Sequence, residues 1–112
     1  MQNRAKLTRQ YLSASAVIAA AGDPFNFEYI MPSGYNYLAQ VLFDPDKDAI
    51  INLYSQKLKT NILQDFSTKI GSALGVIDIG SEELTGDIMR IGGNLYDAAA
   101  FPARITITLA FQ

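Results

Sequence analysis

The sequence predicts an all-β domain built as a two-sheet antiparallel β-sandwich. Three observations lead there. In the last ten residues Ile105, Ile107, Leu109 and Phe111 share one face, and Arg104, Thr106, Thr108, Ala110 and Gln112 share the other. A period of two with β-branched residues is the pattern of a half-buried strand. Similar alternating runs recur along the chain, separated by turn residues such as Pro32-Ser33-Gly34 and Asp44-Pro45-Asp46. Finally, 112 residues with 49% hydrophobic and only 18% charged side chains suit one folded domain with a real but shallow core. That balance is too apolar for a disordered chain. An α+β domain is the alternative, because two segments read as helix or as strand.

The first of these is residues 9–20. As a strand, Leu12, Ala14, Ala16 and Ile18 alternate with Tyr11, Ser13, Ser15 and Val17. The alanines favour helix and the alternation favours strand, and we take the strand. Gly22-Asp23-Pro24 ends it in either case. Residues 25–31 alternate cleanly, Pro32-Ser33-Gly34 turns the chain, and residues 35–43 alternate again. These two runs are expected to be adjacent antiparallel strands. After the Asp44–Asp48 turn, residues 49–56 set Ile51, Leu53 and Ser55 opposite Ile50, Asn52 and Tyr54.

Residues 58–70 are the second ambiguous segment. Leu58, Ile62, Leu63, Phe66 and Ile70 fit a helix face, while Thr and Asn weaken it, so a short helix and a bent strand both stand. Residues 71–93 hold six of the eight glycines, and the apolar segments at 73–79 and 87–91 read as brief strands between tight turns. Residues 92–101 are expected to be a connecting loop, with Pro102 opening the last strand as an edge residue would. That last strand is expected in the middle of a sheet, since ends not held down fray. The count is eight strands, near 9–19, 25–31, 35–43, 49–56, 58–66, 73–79, 87–92 and 103–112.

Catalytic chemistry finds little to work with. Cysteine and histidine are absent. This removes disulfides, thiolate and His-based metal sites, and every triad that needs an imidazole. Asp44-x-Asp46-x-Asp48 resembles the first ligands of a calcium loop, but no glycine follows at the sharp turn and Ser55 stands where a bidentate Glu is required. It reads as an acidic hairpin turn. Gly71-x3-Gly75 and Gly92-Gly93 lack the Lys-Ser/Thr of a phosphate loop. Glu82-Glu83 with Asp87, and Asp78 with Asp97, carry no sign of a carboxylate pair held in a cleft and read as solvated acids. No catalytic residue, cofactor or metal ligand is assigned.

Charge is uneven. Residues 1–22 carry Arg4, Lys6 and Arg9 with no acid, a charge of +3, while residues 23–112 carry −5. The chain thus divides into a basic N-terminal arm or first strand, residues 1–22, and a sandwich body, residues 23–112. Residues 1–22 also have the rough layout of a secretory leader, but Ser13 and Ser15 dilute its apolar run. No run approaches the ~20 apolar residues of a membrane-spanning helix. The densest aromatic cluster is Phe25, Phe27, Tyr29, Tyr35 and Tyr37. No base is interleaved with it, as single-strand stacking would require. It divides into core aromatics and, at Tyr35 and Tyr37, candidates for a protein interface.

Eight strands with long crossovers favour the single jelly roll among sandwiches. The arm from Arg4 to Arg9, the short strands between Phe25 and Ile91 and the final strand at 103–112 resemble, in layout, the small single jelly-roll capsid proteins of icosahedral viruses and phages, such as penton-type subunits. The resemblance implies a structural protein of the virion, assembled in the host cytoplasm. It would self-associate into a ring, with a pentamer favoured, and pack against other shell proteins. Arg4, Lys6, Arg9, Tyr35 and Tyr37 are the expected interface residues, and the arm is expected to make weak contact with nucleic acid. The alternative from the residues alone is a stand-alone β-sandwich binding carbohydrate or peptide.

Overall fold

A computed structural model describes residues 9–44, 47–68, 75–80, 83–97 and 100–112. They form eight strands: β1 (Gln10–Ile18), β2 (Pro24–Ile30), β3 (Leu38–Phe43), β4 (Asp48–Ser55), β5 (Thr60–Ser67), β6 (Val76–Asp78), β7 (Ile88–Asp97) and β8 (Ala103–Phe111). One sheet has the order β1-β8-β3-β6 and the other β2-β7-β4-β5. The pairs β1·β8, β2·β7, β3·β6 and β4·β5 are all antiparallel. That is a long two-stranded ribbon, closed at the β4–β5 hairpin. Rolling it up brings β3 against β8 and β4 against β7. Two four-stranded antiparallel sheets in this order make a jelly roll.

Each of the eight candidate segments holds a strand, and residues 10–18 and 60–67 take the strand form of their two readings. β5 is bent: its pairing to β4 shifts register twice, and Asp65 adopts a positive φ of 47° with its N–H donated to the Asn52 side chain. The last strand is central, between β1 and β8's other neighbour β3. Pro102 precedes that strand, after a cis Phe101–Pro102 bond, and is not on a sheet edge.

Two expectations are corrected. β2 and β3 are not neighbours but lie in different sheets. The turn in which Tyr35 N–H donates to the Pro32 carbonyl continues through Asn36 and Tyr37, whose N–H groups both donate to the Gln112 carbonyl. The chain is thereby carried across the end of the sandwich before β3 starts at Leu38. Residues 92–97 are not loop but the second half of β7. Gly93 sits inside the core layer, paired with Phe25 on one side and Ile51 on the other. A Cβ there would meet the Ile50 carbonyl oxygen at 2.4 Å and the Phe25 ring at 2.9 Å. The glycine marks a close approach of backbones, not a turn.

The core lies between the sheets. β8 contributes Ile105, Ile107, Leu109 and Phe111; β4 gives Ala49, Ile51 and Leu53; β7 gives Met89, Ile91 and Leu95; and β2 gives Phe25, Phe27 and Tyr29. Full burial of such a side chain is worth roughly 1.5–3 kcal/mol. Tyr29 also crosses between the sheets, its hydroxyl donating to the Ile107 carbonyl at 2.7 Å. Burial pushes the Tyr29 phenol well above its ordinary pKa, because the phenolate would be desolvated.

Candidate assembly surface

Three parts of the chain between strands meet at one end of the sandwich: residues 31–37, 56–59, and 79–80 with 83–87. The start of β1 and the end of β8 lie there too, since Gln10 pairs with Phe111. Gln112 is the node. Its N–H donates to the Tyr37 carbonyl and its own carbonyl accepts from Asn36 and Tyr37. Its side-chain oxygen accepts from Arg9 Nε at 3.1 Å, while Arg9 also donates to Gln40 Oε1 at 2.7 Å. Gln40 passes the chain of bonds on to Asp78 Oδ1 at 2.9 Å. Arg9, half-buried, thus ties β1 across β8 to β3 and β6.

The structure brings Arg9, Tyr35 and Tyr37 to this one end. Tyr35 is half-buried against the core, and Tyr37 is more open and forms a bridge with Glu83. Arg4 and Lys6 lie outside the described residues. The rest of the aromatic cluster is core: Phe25, Phe27 and Tyr29 are buried, and the Phe25 and Phe27 rings pack 5.4 Å apart.

A second knot braces the same end. Asp87 is buried, and its carboxylate accepts from the Ser55 hydroxyl, from Lys57 N–H at 2.8 Å and from Ile88 N–H at 2.8 Å. Ser55 Oγ accepts in turn from Leu58 N–H. These bonds shape the β4–β5 turn, where Lys59 takes a positive φ of 57°. Beside them is an open depression of about 310 Å³ lined by Gln56, Lys57, Lys59, Gly86, Asp87 and Ile88. Asp87 is a structural clamp here, since both its oxygens are occupied by donors from the protein itself.

Sequence reasoning missed Gln112 and Gln40 as partners of Arg9 and Asp78 as the partner of Gln40. It also read Asp87 as a solvated acid, whereas burial among the Ser55 hydroxyl and two backbone N–H groups makes it an internal clamp. One signal was present. Ser55 stands in the inward row of β4 after Ile51 and Leu53, and a buried hydroxyl there demands a partner. The sequence carries nothing that says the partner is 32 residues away.

At the opposite end, Asp44 accepts from Thr106 N–H at 3.3 Å and pairs with Lys47 at 3.7 Å. Asp46 and Glu82 lie outside the described residues. Among the described residues no group of three or more carboxylates is placed to hold a metal ion, and no helix is long and apolar enough to cross a membrane. The surface does expose large apolar side chains: Tyr11 and Val17 on β1, Ile30 at the end of β2, and Tyr96 on β7. This arrangement offers a braced end and apolar outer faces, which suit binding to another surface. No protein-family model, curated protein or solved structure matches the chain.

Proposed function

We propose that this protein is a structural assembly subunit of capsid type, acting by self-association and by packing against neighbouring shell proteins, with the virion as its location. The observation that carries this reading is the strand order β1-β8-β3-β6 over β2-β7-β4-β5, an arrangement that viral shell domains use. Rigidity supports it. Among the described residues no buried side-chain polar atom lacks a hydrogen-bond partner, and both sheets close on a single apolar cluster. A block that does not rearrange loses little conformational entropy on association. Exposed Tyr and aliphatic side chains supply apolar area at the contacts. Head-to-tail lateral contacts close into a ring when the rotation fits, and a pentamer is the ring we favour. The positive charge of Arg4, Lys6 and Arg9 complements a net-negative body on a neighbour, or packaged nucleic acid.

The test is native mass measurement of the full chain over a wide concentration range at low and high salt. The expected result is five copies or a multiple of five. The assembly should weaken with salt, because exposed ion pairs contribute only about 0–1 kcal/mol each and are screened beyond ~8–10 Å. A chain that stays monomeric at every concentration and salt overturns the proposal and leaves a stand-alone module for carbohydrate or peptide.

A further inference from the structure

A sandwich has four sheet edges, and here they are β1 and β6 in one sheet and β2 and β5 in the other. An open edge offers unpaired N–H and C=O groups to any passing strand, so edges are ordinarily blunted by shortness, Pro, charge or bulges. Three of the four are blunted. β6 is three residues long and ends in Asp78. β2 opens with Pro24 and carries Glu28, which is ion-paired to Arg90. β5 is broken by register shifts and the positive φ at Asp65. β1 has none of these devices. Its nine residues, Gln10-Tyr-Leu-Ser-Ala-Ser-Ala-Val-Ile18, contain no charge, proline or glycine, and pair with β8 in unbroken register. At about 3.4 Å per residue that is roughly 30 Å of regular edge. Among the described residues no strand pairs with its free side.

We infer that the free edge of β1 pairs antiparallel with β1 of a second copy, about a twofold axis through Ala14, to make one continuous eight-stranded sheet. The occupant follows from the strand's own pattern, which is nearly palindromic about that residue. The axis sets Ser13 opposite Ser15 of the second copy, Leu12 opposite Ala16, and Tyr11 opposite Val17. Core-side residues meet core-side residues, and outward residues meet outward ones, so both cores stay on the same side of the joined sheet. Tyr11 and Val17, 50% and 58% exposed, become an aromatic–aliphatic cross-strand pair, made twice. Leu12, Ala14 and Ala16 face the core yet are only half-buried, and the second edge covers them. Ser13 already bonds Thr108 at 2.7 Å and Ser15 bonds Thr106 at 2.8 Å, so the new pairs extend a hydroxyl row across all four central strands.

This pairing rests on the self-association reading and specifies one of its surfaces. Being isologous, it joins one ring to the next and does not run around a ring.

The chain has no cysteine, so introduced thiols report cleanly. Directly opposed residues have Cα atoms about 4.5–5.5 Å apart, inside the range a disulfide spans, whereas diagonal neighbours are about 7–8 Å apart. The experiment oxidises S13C, S15C and an equimolar mixture of the two. The mixture is expected to yield a covalent dimer with one chain of each kind, at least tenfold above either variant alone. S13K/S15K, which opposes lysines across the axis, is expected to raise at least tenfold the concentration needed for pairing while leaving the chain folded. A mixture that cross-links no better than its components overturns the edge pairing, as does folded S13K/S15K that assembles like the natural chain. If that chain forms oligomers while either result is found, only the edge pairing fails. If it is monomeric throughout, both readings fail.

Discussion

Gly92 and Gly93 are adjacent in β7, and the structure gives them opposite tolerances. Replacing Gly93 by alanine puts a methyl group 2.4 Å from the Ile50 carbonyl oxygen and 3.2 Å from the Ile51 Cα. Both contacts are with the backbone of β4, so no rotamer change relieves them. The Phe25 ring, 2.9 Å from the same point, is packed in the core and has little room to retreat. Making space pulls β7 away from β4 and stretches ladder bonds whose ideal length is about 2.9 Å. Overpacking of this kind costs about 1–3 kcal/mol, occasionally more, and a clash with backbone belongs at the upper end. For a domain of this size about 3 kcal/mol lowers Tm by roughly 10–15 °C. Gly92 faces outward, and among the described residues a Cβ there would touch only the Phe25 carbonyl oxygen, at 3.9 Å. Gly92→Ala removes unfolded-state entropy worth about 0.4–1 kcal/mol, so its Tm is expected to hold or rise by a few degrees. Thermal and urea unfolding of the two variants beside the natural chain decide the matter. Equal behaviour of the two would show that residues 92–97 are not a packed strand, and would refute the account of β7 given above.

Three further outcomes follow from the core. Tyr29→Phe removes the inter-sheet bond to Ile107 and is expected to cost about 1 kcal/mol at neutral pH. The raised Tyr29 pKa also sets a sign for alkaline pH. The unfolded chain releases this proton near pH 10 and the folded chain does not, so the natural protein loses stability as pH rises above about 10, by up to about 1.4 kcal/mol per unit. Tyr29→Phe should flatten the urea midpoint against pH in that range, and an unchanged slope would place the phenol in water. Deleting residues 109–112 removes Leu109 and Phe111, both fully buried, at about 2–5 kcal/mol each from a total of about 5–15 kcal/mol. It also removes the Gln112 node, so no folded protein is expected by circular dichroism, and an unchanged melting curve would show that β8 is not central.

Strand positions were legible because alternation is local. Ile105, Ile107, Leu109 and Phe111 announce an inward face whatever lies opposite them, and the same holds for Ile51 and Leu53 in β4. Pairing was not legible in this way. β2 and β3 are separated by a short turn-like segment, and nothing within either strand reveals that Phe25 belongs beside Gly93 and Leu38 beside Phe111. In a ribbon rolled from its ends, most partners are distant in sequence, and the shortest connection misleads. The glycines of β7 misled for a related reason. Gly-Gly satisfies both a turn and a close approach of backbones, and only the neighbouring β4 distinguishes the two.

The candidate surface shows the same division between what a residue is and what it meets. Composition singled out Arg9 by its charge and Tyr37 by its ring, and both lie at the braced end. Yet Arg9 is engaged by two glutamines, and a glutamine carries no signal in a single sequence. Charge free in solvent and charge held by Gln112 and Gln40 do different work. A held guanidinium fixes β1 to its own sheet and has fewer donors left for a neighbour. The edge of β1 gains from this. Pinned at its first residues through Arg9 and laddered to β8 along its whole length, β1 is presented as a straight, pre-ordered strand. A strand already ordered does not lose that entropy again on pairing. Arg9→Ala should therefore weaken edge pairing without touching the paired residues themselves. The check is the yield of the 13–15 disulfide in an Arg9→Ala background, which is expected to fall while the S13C and S15C chains remain folded. A yield equal to that with Arg9 present would show that β1 is ordered by β8 alone.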